Sequence, residues 1–487
     1  MTDQGYFAGG AWHRPDGGAW LDSIDPATGA VWARIPRCGA ADVDRAVGAA
    51  AACFASPAWQ RTTGAGRARL LHRMADALVA GAPRLAEIET RDNGKRHRDI
   101  LGALTGNLPD TLRYYAGLAE AIEGRAIPVD VPDMLNYTRP VPFGVAACIT
   151  AWNSPLLIAV WKIAPAIAAG NTVVLKPSEH ASVSTLALAG VLEGADLPPG
   201  LVNVVTGLGD EAGQALVEHP GVGIVSFTGG LAGGRAVAAA AARGPKPVIL
   251  ELGGKSPQVV LDDADLDLAA AGIVGGIFPP AGQSCIAGAR VIVHRSVHDA
   301  LVARLVALVE GVRPGPPMDA ATRMAPIANR PHLDRVRVAI DAARRDGARL
   351  VAGGGALDGP GYAVAPTIFT NVRPDSALAR DEVFGPVLAV LAVDDDAAAL
   401  AMANDGEHGL AAGVWSRDTA RAMRLADRIA AGTVYVNTYF HAAPQSPVGG
   451  MKRSGYGREN GIEGLRAYQQ TRSVWVALDP VPADPFA

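Results

Sequence analysis

From Gly144 to Glu251 the chain alternates short apolar, β-branched runs with alanine- and leucine-rich stretches, and that alternation leaves few folds open. The runs read GVAACIT, NTVVLK, LVNVVTG, GIVSFTGG and KPVILELGG, with helical patterns such as Ser182 to Glu193 between them. Apolar strands separated by helices predict a parallel sheet covered on both faces, a doubly wound α/β domain. In such sheets ligands bind beyond the carboxyl ends of the strands. Those ends read TAWN, KPSE, TGLG, FTGG and ELGG, so polar residues and glycines stand where a ligand would.

A second array begins at Ser256. PQVVL, RVIVH, APTIF, VLAVLAV, LAAGVWS and GTVYVN alternate with helical stretches such as Val297 to Glu310 and Asp418 to Ile429, predicting a second α/β domain. Two further segments, RAIPVDVPDMLNYTRPVPFG and the tail YQQTRSVWVALDP, have strand composition and no helix to cover them. Uncovered edges of this kind invite pairing with another subunit.

Composition narrows the partners. With 487 residues, 49% of them hydrophobic and 19% charged, the chain can bury large cores in two or three domains. A formal charge of −4 provides no basic field for nucleic acid and no lysine-rich face for a membrane. The uncharged runs Pro140 to Trp161 and Leu268 to Ala289 are long enough to span a bilayer, but Pro142, Asn153, Ser154 and Pro155 interrupt one, and Pro279, Pro280 and Gln283 the other. They read as backbone buried within protein. The N-terminus shows no signal-peptide pattern. Cys38, Cys53, Cys148 and Cys285 are scattered without zinc or disulfide spacing, which fits a reducing cytoplasm. His294 and His298 straddle a strand end, so no metal site is assigned.

Within the polar strand ends, several residues carry both a chemical reading and a plain one. Cys285, in PPAGQSCIAGAR, sits in a loop between glycines rather than inside an apolar helix, a setting for a reagent as well as for a small buried hydrophobe. Glu251 closes an apolar strand, where a desolvated carboxylate becomes a base near neutrality; pairing with Lys255 is the alternative. Asn153, in TAWNSP, offers an amide donor for an oxyanion or turns the chain before Pro155. FTGG runs from a strand through glycines into a helix, a phosphate cradle or a simple turn. Lys176 and Glu179, in KPSEH, stand at a strand end as ribose ligands or as a solvated ion pair. DDADLD and DDDAAAL precede helices and read as caps.

Taken in order and spacing, WNSPLLIAVWKIAPAIAAGNTVVLKPSE, SFTGG, LELGGKSP, GQSCIAGAR, DEVFGPVL and SPVGGMKRSGYGREN resemble the NAD(P)-dependent aldehyde dehydrogenase superfamily, over nearly the whole chain. The resemblance implies a Rossmann-like NAD-binding domain over 1–125 and 144–252, a catalytic domain over 253–455, and a small β oligomerisation element over 126–143 and 456–487. It implies oxidation of an aldehyde to the acid, with Cys285 as nucleophile, Asn153 as oxyanion donor and Glu251 as the base that activates water. For the cofactor it implies Lys176 and Glu179 at the adenine ribose, Phe227, Gly229 and Gly230 beside the pyrophosphate, and Glu382 and Phe384 at the nicotinamide end. Ile149, Trp152, Gly209 and Leu252 complete that set. Glu179 favours NAD, because a carboxylate repels a 2′-phosphate; NADP remains an alternative. A homodimer or homotetramer, with no nucleic-acid or membrane partner, is expected.

One departure bears on the substrate and another on the cofactor. AWNSP places Ser154 where the family usually has phenylalanine, which is expected to open the tunnel, and Gly230 stands where serine is frequent, which removes a hydroxyl from the phosphate site but leaves the backbone donors. Trp161, Ser154, Ser284, Ile286, Tyr439 and Phe440 are expected to line a mixed apolar and aromatic tunnel. A coenzyme A-acylating semialdehyde dehydrogenase would not need Glu251, a non-catalytic binding protein on this fold would be expected to have lost Cys285 or Glu251, and a metal hydrolase lacks a ligand set.

Overall fold

An eight-stranded sheet runs in the order Ala11–His13, Tyr6–Ala8, Val202–Val204, Thr172–Lys176, Val145–Ile149, Val222–Thr228, Val248–Glu251 and Gly455–Tyr456 in the computed structural model, which describes residues 5–355, 357, 359–479 and 486. From Val202–Val204 to Val248–Glu251 the neighbours are parallel. Val145–Ile149 is the start of the winding. The chain moves outward to Thr172–Lys176 and Val202–Val204, then crosses to Val222–Thr228 on the other side. Connections leaving in opposite directions open a crevice at the carboxyl ends of Val145–Ile149 and Val222–Thr228. Both Val145–Ile149 and Thr172–Lys176 are buried throughout, as apolar strands covered on two faces must be.

The helix Pro155–Ala169 leaves that crevice. Pro155 fits its first turn, where no N–H is needed, and Gly170 ends it in the left-handed region at φ 98°. The second sheet has the order Arg349–Ala352, Thr367–Thr370, Val387–Val393, Arg290–His294, Pro257–Val260, Ala411–Trp415 and Thr433–Val436, with antiparallel pairing only at Arg349–Ala352. Its first crossover helix, Leu266–Gly275, is capped by Asp265, whose carboxylate accepts from Asp267 and Leu268 N–H groups. Asp395 caps Asp396–Asn404 in the same way, so these aspartates are structural.

A third, antiparallel sheet joins Gln469–Ala477, Met134–Pro142 and Ala126–Ile127. The tail strand therefore lies on its own hairpin, in a register from Gln469 opposite Pro142 to Ala477 opposite Met134, and its own chain supplies its first partner. Its other edge stays unpaired among the described residues. The segment expected as one β element from 456 onward divides. Gly455–Tyr456 adds to the cofactor-side sheet beside Leu250 and Glu251, and Leu465 and Tyr468 are buried in the core of that domain. Apolar side chains there outweigh the segment's proximity to the tail; 480–485 and 487 lie outside the described residues. Among the described residues no helix is long and apolar enough to cross a membrane, and no group of three or more His, Cys, Asp or Glu could hold a metal.

Candidate active site

The loop between Leu266–Gly275 and Arg290–His294 carries Cys285, and its backbone is forced into an unusual path. Ala281 and Gly282 have φ of 54° and 70°, and a Cβ on Gly282 would collide with the Gly385 carbonyl. Only glycine fits that second position. Gln283 locks the loop from below: its amide donates to Pro326 O at 3.0 Å and its carbonyl oxygen accepts from Ala328 N at 2.8 Å. Cys285 is thus half-buried on the floor of a cavity of about 1220 Å³ between the two α/β sheets. The other three cysteines are buried and free.

Asn153 reaches the same loop from the crevice of the first sheet. Its Nδ2 donates to Gln283 O at 3.1 Å. An amide nitrogen carries two hydrogens, so one anchors the side chain and the other is available beside Cys285. The turn reading of Asn153 does not describe this contact, since the side chain crosses to another domain.

Glu251 ends its strand inside the cavity, buried, and its Oε1 has no hydrogen-bond partner among the described residues. The alternative of a pair with Lys255 is not formed; Lys255 Nζ is also unpartnered. Burial raises the Glu251 carboxyl well above the ordinary carboxylate range, and the charge of Glu459 raises it further, against Lys162 and Arg458. Lys162 and Glu459 form a fully buried ion pair behind it, with Lys162 also donating to Ser226 Oγ at 2.8 Å. Neither was singled out by sequence, because a lysine inside an apolar helix reads only as an anomaly. For Cys285 burial is again the largest influence, followed by the charges of Glu251 and Glu382, and the thiol is pushed up to about 12. The Ile286 N–H directed at the sulfur offsets part of this.

Every residue expected at the cofactor lines this one cavity: Ile149, Trp152, Lys176, Glu179, Gly209, Phe227, Gly229, Gly230, Leu252, Glu382 and Phe384. Lys176 is buried, donates to Pro177 O at 3.1 Å and is not ion-paired with Glu179, whose carboxylate accepts from Ser178 Oγ at 3.3 Å. Gly229 must be small, since its Cβ would come within 2.5 Å of the Phe227 ring. Gly230 opens the helix Leu231–Ala242 without a side-chain cap, which leaves N–H groups facing the cavity. Glu382 lies over Gly253, accepts from Gly254 N–H at 2.9 Å, and burial pushes its carboxyl up to about 7.

Phe384 is held at φ 56°, a strained conformation for a bulky residue, by the bond from His332 Nε2 to its carbonyl at 2.7 Å. Trp152 closes the aromatic group, 5.3 Å from Phe384 and 5.1 Å from His332 between ring centroids. Burial lowers His332 to about 4, so its ring is neutral and keeps an N–H for that carbonyl. His332 is invisible in the sequence, where it looks like an ordinary helix residue. On the substrate side, Ser154, Trp161, Ser284, Ile286 and Phe440 line the tunnel as expected, and Tyr435, Lys95 and Arg96 join them. Tyr439 does not. It is buried behind the loop with its hydroxyl donating to Ile286 O at 2.8 Å, because its ring fills the space against Gly276.

A half-buried cysteine, an amide donor and a carboxyl oxygen unpartnered among the described residues face a glycine-lined cleft at a topological switch point, the arrangement of a dinucleotide-linked enzyme. Residues 12–474 match the aldehyde dehydrogenase family, and the chain belongs to it. PnpE from Pseudomonas sp. WBC-3 shares 40% identity over all of both chains at a TM-score of 0.95. An NAD-dependent aldehyde dehydrogenase from Sinorhizobium meliloti shares 39% identity, covering 100% of this chain and 97% of that one, at 0.96. Betaine aldehyde dehydrogenase from Staphylococcus aureus, solved in complex with NAD+, shares 34% over 100% and 97%, at 0.97.

Proposed function

We propose that the chain oxidises an aldehyde to the carboxylic acid with NAD as hydride acceptor, through a covalent intermediate on Cys285. The observation that carries this is the meeting of Cys285, Asn153 and Glu251 in the cavity that also holds the whole cofactor set. The cleft fits a dinucleotide. Gly229 and Gly230 permit close approach, the uncapped helix after Gly230 suits a pyrophosphate, the unpartnered Thr228 hydroxyl adds a donor, and Lys176 with Glu179 suits a ribose. NAD, when bound, supplies the hydride acceptor at the nicotinamide end, beside Glu382 and Phe384. Glu179 disfavours the 2′-phosphate of NADP.

The Cys285 thiol gives up its proton to solvent, its sulfur attacks the aldehyde carbon, and the carbonyl oxygen becomes an oxyanion; the proton that Glu251 later takes from water returns to the sulfur when the C–S bond breaks. The free hydrogen of Asn153 Nδ2 and the Cys285 backbone N–H hold that charge; among the described residues the latter is spent on no carbonyl. Loss of hydride leaves a thioester on Cys285. Glu251, raised by burial, takes a proton from water, which attacks the thioester carbon; the C–S bond breaks, the acid leaves and the thiol is restored. A coenzyme A-acylating relative has no use for that base, and the unpartnered Oε1 of Glu251 supports the hydrolytic route.

The assembly reading rests on the small sheet. Both faces and the free edge of the tail strand are open, with Trp475 54% and Leu478 65% exposed, so a homodimer or homotetramer closed through this edge is the reading its exposed apolar side chains support. Four unpaired cysteines suit a cytoplasmic setting. A panel of aldehydes scored by NADH absorbance, with Cys285→Ser as control, tests the activity. No NADH from any of them, with NAD bound, would overturn the reading.

A further inference from the structure

The tunnel holds a cation that the chemistry above does not use. The long helix Gly64–Asn93 ends at Gly94, φ 78°, where a Cβ would lie 2.9 Å from Pro326 and 3.1 Å from Pro26. The turn is completed by the Lys95 N–H donating to Asn93 Oδ1 at 2.9 Å. This fixed turn sends Lys95 into the cavity, where its Nζ donates to the Ser154 hydroxyl, next in sequence to Asn153.

Lys95 has carboxylates within electrostatic reach, Glu89 and Asp99, but touches neither. Its hydrogen-bond acceptor is a neutral hydroxyl, and among the described residues it belongs to no ion pair. Two acids that line the cavity nearby are already engaged: Asp99 accepts from Arg96 at 2.7 Å, and Glu459 is paired with Lys162. Glu89, also buried, accepts from Leu156 N–H at 3.1 Å and is pushed up to about 7. Burial lowers Lys95, while the charges of Glu89 and Asp99, and after them Cys285, act to raise it. Leu157, Ile158 and Trp161, on the helix that Ser154 precedes, complete that wall, and the Trp161 indole N–H is buried without a partner among the described residues.

We infer that Lys95, held by Ser154, selects aldehydes bearing a carboxylate a few carbons from the carbonyl, that is, short ω-oxo acids. A substrate carboxylate supplies the direct ion-pair partner that Lys95 lacks among the described residues, while the aldehyde end reaches Cys285. A plain aliphatic aldehyde of the same length makes no such pair and displaces water from the ammonium. The inference deepens the dehydrogenase reading and rests on it.

The test compares 4-oxobutanoate with butanal in wild type, Lys95→Met and Lys95→Arg. A charged hydrogen bond of ordinary strength corresponds to roughly 10- to 100-fold in kcat/KM, so wild type should prefer the acid by about that factor. Lys95→Met should lose the preference, chiefly through a higher KM for the acid, and Lys95→Arg should retain most of it. Alkylation of Cys285 by iodoacetate against iodoacetamide needs no turnover and should show the same preference, lost in Lys95→Met. Equal falls for both aldehydes would make Lys95 a partner of the thiol and refute selectivity, as would a preference unchanged in Lys95→Met. An iodoacetate preference lost in Lys95→Met, with no aldehyde oxidised by wild type, would sink the dehydrogenase reading and support the anion selectivity.

Discussion

Replacing Glu251 by Gln separates two tasks that a buried carboxyl beside a thiol could perform. The Cys285 thiol is pushed from 9.0 up to about 12, so at a given pH its thiolate is about a thousandfold scarcer than on an exposed cysteine, a difference on the order of 4 kcal/mol. Burial is the largest cause and Glu251 the next. Gln keeps the volume and removes the charge, which should return less than half of that penalty, and alkylation by iodoacetamide between about pH 8 and 9.5 should quicken by roughly three- to tenfold. Release of acid should slow by about 100-fold or more, the usual weight of a general base, and a thioester adduct should accumulate by intact mass. The pH dependence carries a sign as well. Glu251 acts as a base only when deprotonated, and burial with Glu459 raises it, so the wild-type rate should climb with pH above the ordinary carboxylate range. That limb should vanish in Glu251→Gln. If alkylation slows together with turnover, Glu251 is the group that withdraws the thiol proton, and the division of labour argued above is wrong.

Cys285→Ser should bind NAD, measured by fluorescence titration, and retain only residual oxidation; near-normal turnover would remove the covalent route. Gly282→Ala should cost about 1–2 kcal/mol for its left-handed backbone alone, with the clash against Gly385 added, and should abolish most activity while lowering Tm; wild-type rates would show that the loop relaxes freely. Deleting everything after Gln470 removes most of the strand paired with Met134–Pro142 and should yield monomer or aggregate in light scattering; a full-length protein that is monomeric at micromolar concentration would refute the closed oligomer.

The strand ends, the Cys285 loop and the glycines were legible in the sequence because a parallel sheet binds at its carboxyl edge, and residues unsuited to a buried strand stand out there. The alternation from Gly144 to Glu251 alone determined the five parallel strands of the first sheet, though not the added strands Tyr6–Ala8, Ala11–His13 and Gly455–Tyr456, and resemblance of six motifs pointed Asn153, Glu251 and Cys285 to their tasks. What the chain could not show is which of two chemically sensible partners a polar residue takes. Glu251 had Lys255 four positions away, yet Glu251 Oε1 and Lys255 Nζ stay unpartnered among the described residues, and the charges that act on Glu251 come from Glu459, Lys162 and Arg458. The tail had a choice of edges and took its own hairpin. His332 bonds the carbonyl of Phe384, and Lys95 the hydroxyl of Ser154, across separations that leave no periodicity to read. Pattern in sequence records which face of an element is apolar, a local property repeated every two or 3.6 residues. Partnership between side chains of different elements depends on how those elements pack, and that is settled only when the two sheets and the helix Gly64–Asn93 close around one cavity.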